Sequence, residues 1–350
     1  MKKILLSLLA LCAASSLWAF QSGLLYYNTL SDSTVEVTYQ TTGTNNYSDL
    51  KAVTIPETVT YGGKTYTVVA IGSQAFADGP SSSGAPRTYA NVTLKLINIP
   101  KTVKNIDPYA FYKCTALTTV NFLGDGLTTI GNCAFCGCSA LSSFNFPSTL
   151  KTIGSEAFYN SALAGDVVIP DGVTSIGSSA FFSTDMTTLS IGNAVTTISS
   201  SAFESCTSLT SVTLGNSVAT IGSSAFKSCS GLTSITLGNS VATIGSSAFQ
   251  SCSSLTSITL PKSVKTINNS AFASCSKLTT VYLKPTTPPA FTNTNILPSN
   301  AITFYVPCGA ADTYFLSDWI AFTTDFQEEE CIKKYTIYVN QDCTSSVEEE

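Results

Sequence analysis

The sequence predicts a β-rich solenoid, a right-handed superhelix of about nine repeats of roughly 23 residues, each built from short strands and short helical turns. Two observations carry this prediction: an Ala-Phe pair recurs at a nearly fixed interval, and an isoleucine stands four residues before each of these alanines. The chain has 350 residues, more than one globular core usually holds. A repeat array escapes that limit because each unit contacts only its neighbours.

The Ala-Phe pairs follow one another at spacings of 35, 24, 23, 23, 22, 23, 23 and 23 residues. A period of about 20–29 residues with apolar side chains at set places is the signature of leucine-rich repeats. The pairs are Ala75-Phe76, Ala110-Phe111, Ala134-Phe135, Ala157-Phe158, Ala180-Phe181, Ala202-Phe203, Ala225-Phe226, Ala248-Phe249 and Ala271-Phe272.

The unit at 232–252 shows how each position is expected to act. Ile235 and Leu237 alternate as the inward side chains of a short strand. A Gly-Asn-Ser turn follows, because Gly and Asn accept positive φ. A second extended segment ends at Ile244, and a short helical turn then carries the Ala-Phe pair. The phenylalanine is expected to fill the coil and to stack on the phenylalanine of the next unit.

The N-terminus reads as a signal peptide over residues 1–19. Lys2 and Lys3 precede an apolar run at 4–14 that is too short to span a bilayer, and Ala19 is a plausible cleavage position. No other stretch is long and apolar enough to predict a transmembrane segment. The sequence therefore predicts an exported protein.

Both ends of the array are expected to carry caps, since terminal units expose apolar faces. Residues 20–70 are predicted as an N-terminal cap with a hairpin around Gly62-Gly63, and 71–283 as the repeats, with a loop inserted at 78–87.

Residues 284–327 are predicted as a C-terminal cap, with a strand at 302–306 and a short aromatic helix or turn at 314–322. Residues 328–350 form an acidic tail with a lone strand-like segment at 335–339.

Composition excludes several kinds of chemistry. The chain has no histidine, which removes the commonest general base and metal ligand. Carboxylates are sparse, and no phosphate-binding loop is present. Net charge is −5 without a basic cluster, which argues against nucleic acid as a partner. The sequence therefore predicts no enzyme, no cofactor and no metal site.

A column of cysteines recurs three residues after the repeat phenylalanine. A disulfide ladder is disfavoured because equivalent side chains of neighbouring coils run parallel, so buried free thiols are expected. Cys133 and Cys136 differ, because they occupy slots that are serine and lysine or glutamine elsewhere and are expected to face outward. They could pair, or bind zinc with a partner, but a zinc site usually needs four ligands. The column comprises Cys114, Cys138, Cys206, Cys229, Cys252 and Cys275.

The solvent side of the first strand forms two predicted rows of polar residues, interpreted either as a ligand-binding face or as a solubilising β-surface. The first row is Thr119, Ser143, Asp166, Thr188, Ser211, Ser234, Ser257 and Thr280. The second row is Asn121, Asn145, Val168, Ser190, Thr213, Thr236, Thr259 and Tyr282. The candidate ligand-binding residues are Thr188, Ser190, Ser211, Thr213, Ser234, Thr236, Ser257, Thr259 and Tyr282.

The unit L-x-x-I-x-L-x-x-x-V-x-x-I-G-x-x-A-F-x-x-C resembles the BspA-like leucine-rich repeats of bacterial surface proteins of the Bacteroides type. The resemblance covers roughly residues 50–326 and includes the hairpin at 61–68 and the closing Trp319-x-x-Phe322. Asp107, Ser199 and Asn268 depart from it by replacing the usual glycine after isoleucine.

This resemblance implies a secreted or cell-surface protein, at the outer surface of a Gram-negative bacterium. It also implies adhesion to host extracellular matrix or surface proteins, to a glycan, or to other bacteria. The competing interpretations are a passive structural spacer or surface-layer component without a specific ligand, and ice binding through the threonine rows.

Overall fold

The structure is a computed structural model. The predicted signal peptide, apart from Ala19, and the predicted loop at 78–87 lie outside the residues that it describes. Those residues are 19–39, 47, 49–77, 91–291, 294–298, 301–323 and 325–329, with the backbone of the strands Tyr335–Val339 and Ser345–Glu349.

The predicted solenoid is confirmed as about ten turns with almost no helix. Most coils contribute two short strands, and within each sheet these pair in parallel with the equivalent strands one coil away, so that Ile130 opposes Ile153 and Val212 opposes Ile235. Equivalent residues therefore form columns along the array. This columnar stacking is what turns a sequence period into continuous surfaces and a continuous core.

The second strand of each coil builds one side of the solenoid, in two successive sheets. The strands are Lys64–Ile71, Asn105–Ile106, Thr129–Ile130, Thr152–Ile153 and Ser175–Ile176, then Thr197–Ile198, Thr220–Ile221, Thr243–Ile244, Thr266–Ile267 and Ala290–Phe291.

The first strand of each coil builds the opposite side, in three successive sheets. The first comprises Ala52–Thr54, Leu96–Ile99 and Thr119–Phe122; the second Ala164–Ile169, Asp185–Ile191, Ser211–Thr213 and Ser234–Thr236; the third Ser257–Leu260, Thr280–Leu283, Thr303–Val306 and Phe326–Glu328.

The predicted short helical turn is instead a pair of hydrogen-bonded turns. In one repeat, the Ala248 N–H donates to the Gly245 carbonyl at 3.2 Å and the Gln250 N–H to the Ser247 carbonyl at 3.0 Å. Ser247 and Ser251 have φ of 56° and 63°, in the left-handed region. A residue with positive φ interrupts a right-handed helix, so the Ala-Phe corner is turn structure throughout the array.

A column of stacked phenylalanines fills the centre of the coils, as predicted. Adjacent rings have centroids 5.0–5.5 Å apart and lie within 11° of parallel. All the rings are buried. The column comprises Phe76, Phe111, Phe135, Phe158, Phe181, Phe203, Phe226, Phe249 and Phe272.

An antiparallel meander covers the N-terminal end, and its last strand pairs in parallel with Lys64–Ile71. The predicted hairpin around Gly62-Gly63 is present, with φ of 59° and 78° that suit glycine. The meander strands are Ala19–Ser22, Leu25–Thr29 and Thr34–Thr38, and the outer hairpin strand is Thr58–Tyr61.

At the C-terminal end, the α-helix Ala311–Phe315 and the 3₁₀ helix Asp318–Ala321 place Tyr314 and Trp319 on the core. Their side chains donate hydrogen bonds of 2.8 Å to the carbonyls of Pro285 and Pro289. The predicted aromatic helix or turn is thus confirmed as a pair of short helices. A further 3₁₀ turn occupies Thr294–Ile296.

The tail segment predicted as a lone strand is paired. Tyr335–Val339 forms an antiparallel hairpin with Ser345–Glu349. The alternation of tyrosine and isoleucine marked the first strand, whereas the acidic second strand has no apolar pattern to mark it. Among the described residues, no helix has the length and apolar character needed to cross a membrane.

Candidate ligand-binding face

The predicted rows do lie side by side over several coils. Thr188 pairs with Ser211 and Ser211 with Ser234, while Ser190 pairs with Thr213 and Thr213 with Thr236. In the third sheet, Ser257 pairs with Thr280 and Thr259 with Tyr282. We call the nine predicted residues the strand face: Thr188, Ser190, Ser211, Thr213, Ser234, Thr236, Ser257, Thr259 and Tyr282.

Three threonines of the strand face are unengaged. Thr213, Thr236 and Thr259 are exposed and, within the part of the chain that the structure describes, their hydroxyls have no hydrogen-bond partner. By contrast, the Thr188 hydroxyl donates to an Asp166 carboxylate oxygen at 2.7 Å. The second row therefore offers hydroxyls that a ligand could engage without breaking an existing hydrogen bond.

An aromatic pair closes the second row. Tyr282 stacks on Tyr305, with ring centroids 5.0 Å apart and planes 18° from parallel. The Lys284 ammonium lies 6.0 Å from the Tyr282 ring and forms an ion pair with Glu329. Tyr305 extends the row by one coil and is not among the predicted residues. Its place in the predicted strand at 302–306 was the signal that could have found it.

The strand face is divided between Thr236 and Thr259. Ser234–Thr236 is the last strand of the second sheet on this side, and Ser257–Leu260 is the first strand of the third sheet. No strand ladder therefore joins these two described strands. Ile235 is partly exposed here, whereas the equivalent Val212 and Ile258 are buried. The predicted continuous rows are therefore interrupted at this coil boundary.

A proline stands at the point where the ladder is broken. In some coils the residue after the first strand donates its N–H to the preceding coil, as Gly192 does to the Ile169 carbonyl at 3.0 Å. Pro261 occupies this slot and has no N–H to donate. Gly238, in the coil before, approaches the Gly215 carbonyl so closely that an added Cβ would lie 2.3 Å from its oxygen. A proline ring in this slot is too bulky to come as close to the backbone of the preceding coil.

A groove opens where the ladder is broken. It encloses about 570 Å³ and lies at the carboxyl ends of the strands, beside the unengaged Thr236 and Thr259. Lys262 gives it positive charge, whereas Lys284 is paired with Glu329, and Ile235 and Leu237 give it an apolar floor. Its lining residues are Ile235, Thr236, Leu237, Asn239, Thr259, Pro261, Lys262 and Lys284.

A second groove of about 690 Å³ marks the other interruption of the same side. Residues 141–147 form no strand, so Ser143 and Asn145 do not belong to a ladder, contrary to the prediction. Phe144 replaces the valine or isoleucine of most repeats, whereas Phe146 follows Phe122 in the same slot of the coil before. The Phe144 and Phe146 rings pack 5.0 and 5.5 Å from Phe158, which demands more room than a valine or leucine would.

The column cysteines are buried free thiols, as predicted. They also donate hydrogen bonds: the Cys229 thiol lies 3.1 Å from the Phe203 carbonyl and the Cys275 thiol 3.1 Å from the Phe249 carbonyl. Burial raises the pKa of Cys275 to about 12, which keeps its thiol protonated and able to donate. These thiols satisfy backbone acceptors inside the coils. Cys308 is instead disulfide-bonded.

Cys133 and Cys136 are buried, contrary to the expectation that they face outward. The Cys133 thiol donates to a Glu156 carboxylate oxygen at 3.4 Å. The hydrogen bond with Cys136, burial and the charge of Glu156 all raise the pKa of Cys133. Glu156 was not among the predicted site residues, although it lies 23 residues after Cys133 and therefore occupies the same slot one coil further on.

The BspA-type leucine-rich repeat region matches the chain in 6 copies, over residues 85–210 and 196–301. A comparison with curated proteins gives no match.

Several solved structures are similar. A leucine-rich repeat protein from Bacteroides ovatus is 24% identical and covers 89% of this chain and 100% of its own, with a TM-score of 0.39. A leucine-rich cell surface protein from Faecalibacterium prausnitzii is 24% identical, covering 88% and 98% with a TM-score of 0.35. A leucine-rich repeat protein from T. pallidum is 25% identical, covering 66% and 88% with a TM-score of 0.47. The repeat match spans more than half of the residues, and the chain belongs to the BspA-type leucine-rich repeat family.

Proposed function

We propose that this protein is exported, is exposed at the bacterial surface, and works as an adhesion module rather than an enzyme. Its strand face would bind a host extracellular-matrix protein, or a protein or glycan on a host or bacterial cell surface. Membership of the BspA-type family supports the surface location, as does the N-terminal pattern of Lys2 and Lys3 before an apolar run. The solenoid fold is typical of binding or scaffold proteins without enzymatic activity.

The observation that carries the proposal is the row Thr213, Thr236 and Thr259. These hydroxyls are exposed, repeat at coil spacing and lack partners among the described residues. Unengaged donors and acceptors held on strands offer a ligand pre-organised contacts on both sides of the interruption, so little conformational entropy is lost on binding. The adjoining groove and the Tyr282–Tyr305 stack add apolar and aromatic surface at one end of the row.

Replacing Thr213, Thr236 and Thr259 together by valine is expected to weaken binding to immobilised matrix or mucus extract by about 100-fold, since three hydrogen bonds contribute about 1 kcal/mol each. Valine keeps the β-branched shape, so the sheet should be unchanged. Biolayer interferometry with the native chain and the triple variant measures the ratio.

The matched control replaces Thr220, Thr243 and Thr266 by valine, which changes the same residue type in the same number on the second-strand side. This control should bind like the native chain. Equal binding by both triple variants would place the site elsewhere. A native chain that binds no matrix, mucus or bacterial extract would instead support a passive spacer.

The groove makes a separate prediction. Pro261→Gly is expected to restore the missing N–H donor, join Ser257–Leu260 to Ser234–Thr236 and narrow the groove. Hydrogen exchange at residues 257–260 should slow, and affinity for the extract should fall about 10-fold if ligand enters the groove. Pro100→Gly is the control, because Pro100 occupies the equivalent slot where the ladder between Ala52–Thr54 and Leu96–Ile99 is already intact. Unaltered exchange in Pro261→Gly would contradict the role given to the proline.

A further inference from the structure

Two thiols and a carboxylate converge at one corner of the solenoid, away from the strand face. The donor atoms of Cys133, Cys136 and Glu156 all lie within 4.8 Å of one another. Cys133 and Glu156 hold equivalent slots of adjacent coils, and both have left-handed φ, of 54° and 56°. Their backbones are held by the same turn bonds, from the Cys133 N–H to the Ser155 carbonyl and from the Glu156 N–H to the Ser178 carbonyl, each 2.9 Å. The array itself therefore fixes the three side chains at one point.

The arrangement is confined to this coil. In other repeats the two slots hold pairs such as Ser224 and Lys227, which cannot supply two soft ligands. The Cys136 N–H donates to the Cys133 carbonyl at 3.2 Å, so the tight turn brings both thiols to the same side. Among the described residues, this is the one group of three or more cysteine and carboxylate side chains that could hold a metal ion.

We infer that Cys133, Cys136 and Glu156 bind a thiophilic divalent cation, zinc in the first instance. A tetrahedral zinc ion holds thiolate sulfur at about 2.3 Å and carboxylate oxygen at about 2.1 Å, which separates sulfur from oxygen by about 3.6 Å. The Cys133 sulfur and a Glu156 oxygen are 3.4 Å apart, so this pair already has the required separation. Binding releases the two thiol protons to solvent, and the fourth position remains for solvent.

The surroundings suit such an ion. Cys133 and Cys136 are only 7% and 9% exposed, which shields the metal–sulfur bonds from water. Tyr109 and Tyr112 belong to the preceding coil, in the slots equivalent to Cys133 and Cys136, and pack edge to face with centroids 5.7 Å apart. Lys113, whose charge acts on Cys136, offsets part of the net negative charge that two thiolates and a carboxylate leave around a divalent cation.

The test begins with purified, reduced and metal-free full-length protein titrated with Zn²⁺ and, separately, with Co²⁺. We expect about one zinc per chain by elemental analysis and a thiolate-to-cobalt charge-transfer band in the ultraviolet. Cys133→Ser with Cys136→Ser should abolish both. Glu156→Gln should weaken binding at least 10-fold, since even outer-shell partners of metal sites are worth about that much. Glu204→Gln, which removes a carboxylate paired with Lys227, is the matched control and should leave binding unchanged.

If a variant fails to fold, alkylation of the cysteines in the native protein provides an independent test of the site. Zinc should slow labelling of Cys133 and Cys136, measured by peptide mass spectrometry. Full zinc uptake by the double cysteine variant would overturn the site, as would no uptake by the reduced native protein. Conversion of the pair to a disulfide that forms equally fast with and without zinc would overturn it as well.

Discussion

Phe226→Ala is expected to lower the free energy of unfolding by about 3–5 kcal/mol, the range for removing a buried aromatic ring from a core. Phe226 is fully buried and stacks on both neighbours, with centroids 5.3 Å from Phe203 and 5.5 Å from Phe249. The substitution removes two ring contacts as well as buried area, and each such pair adds about 0.5–1.5 kcal/mol. The loss should therefore lie at the upper end of the range.

Chemical denaturation followed by circular dichroism measures this loss. The matched control is Phe182→Ala, because Phe182 is a partly exposed ring that stacks on Tyr159 at 4.7 Å outside the coil centre. Its loss should stay near the 0.5–1.5 kcal/mol of one aromatic pair. Comparable losses for the two substitutions would show that the central column does not dominate stability. In a one-dimensional array, the damage at Phe226 should also spread to the adjacent coils.

The phenylalanine column was predictable because period and inward position are both written in the sequence. A phenylalanine that recurs about every 23 residues beside an alanine occupies the same position in every coil when the coils stack in register. The thiol column was predictable for the same reason, since Cys229 and Cys252 follow their phenylalanines at one spacing. Periodicity did not predict the hydrogen bond that each thiol donates to a phenylalanine carbonyl, because that contact depends on how deeply the side chain lies inside the coil.

The Ala-Phe corner shows where local propensity misleads. Serines before an apolar pair resemble a helix N-cap and therefore predict a helical turn there. Ser247 instead adopts φ of 56°, a conformation that serine rarely takes in isolation. The turn is imposed by the neighbouring coil, to which Ser247 donates its N–H, at the Asn269 carbonyl 2.8 Å away. Such tertiary constraint leaves no mark on the residues themselves.

The candidate strand face was predictable in its rows but not in its breaks. Alternation along each strand identified Thr213, Thr236 and Thr259 as outward residues. The division between Thr236 and Thr259 depends on how closely two coils approach each other. The slot of Pro261 holds different residue types in different coils, so the proline alone did not predict a break there. Aligning slots across coils, rather than along the chain, would also have paired Cys133 with Glu156. What the sequence did not predict is therefore the spatial register of neighbouring coils rather than the type of residue at each position.

Gly215→Ala is expected to destabilise the array by about 1–3 kcal/mol, the usual cost of overpacking. A Cβ at this position would lie 2.4 Å from the Gly192 carbonyl oxygen and 2.8 Å from its carbon. Both are backbone atoms, so the coils themselves must separate. Replacing glycine by alanine also gains about 0.4–1 kcal/mol by restricting the unfolded chain, and the clash outweighs that gain. Thermal and chemical denaturation should show the loss, whereas the neighbouring exposed Ser217→Ala should stay within about 0.5 kcal/mol of the native chain.

Gly215→Ala also tests why the strand ladder is continuous before the groove and broken at the groove. Gly192, Gly215 and Gly238 form a close-packed column, in which each glycine reaches the backbone of the coil before it. Pro261 ends that column, and the ladder ends with it. Gly215→Ala should therefore raise hydrogen exchange at residues 211–213, as Pro261 is inferred to do naturally at 257–260. Exchange there as slow as in the native chain would mean that the glycine contacts do not hold the ladder together, and that the groove beside Thr236 and Thr259 has another cause.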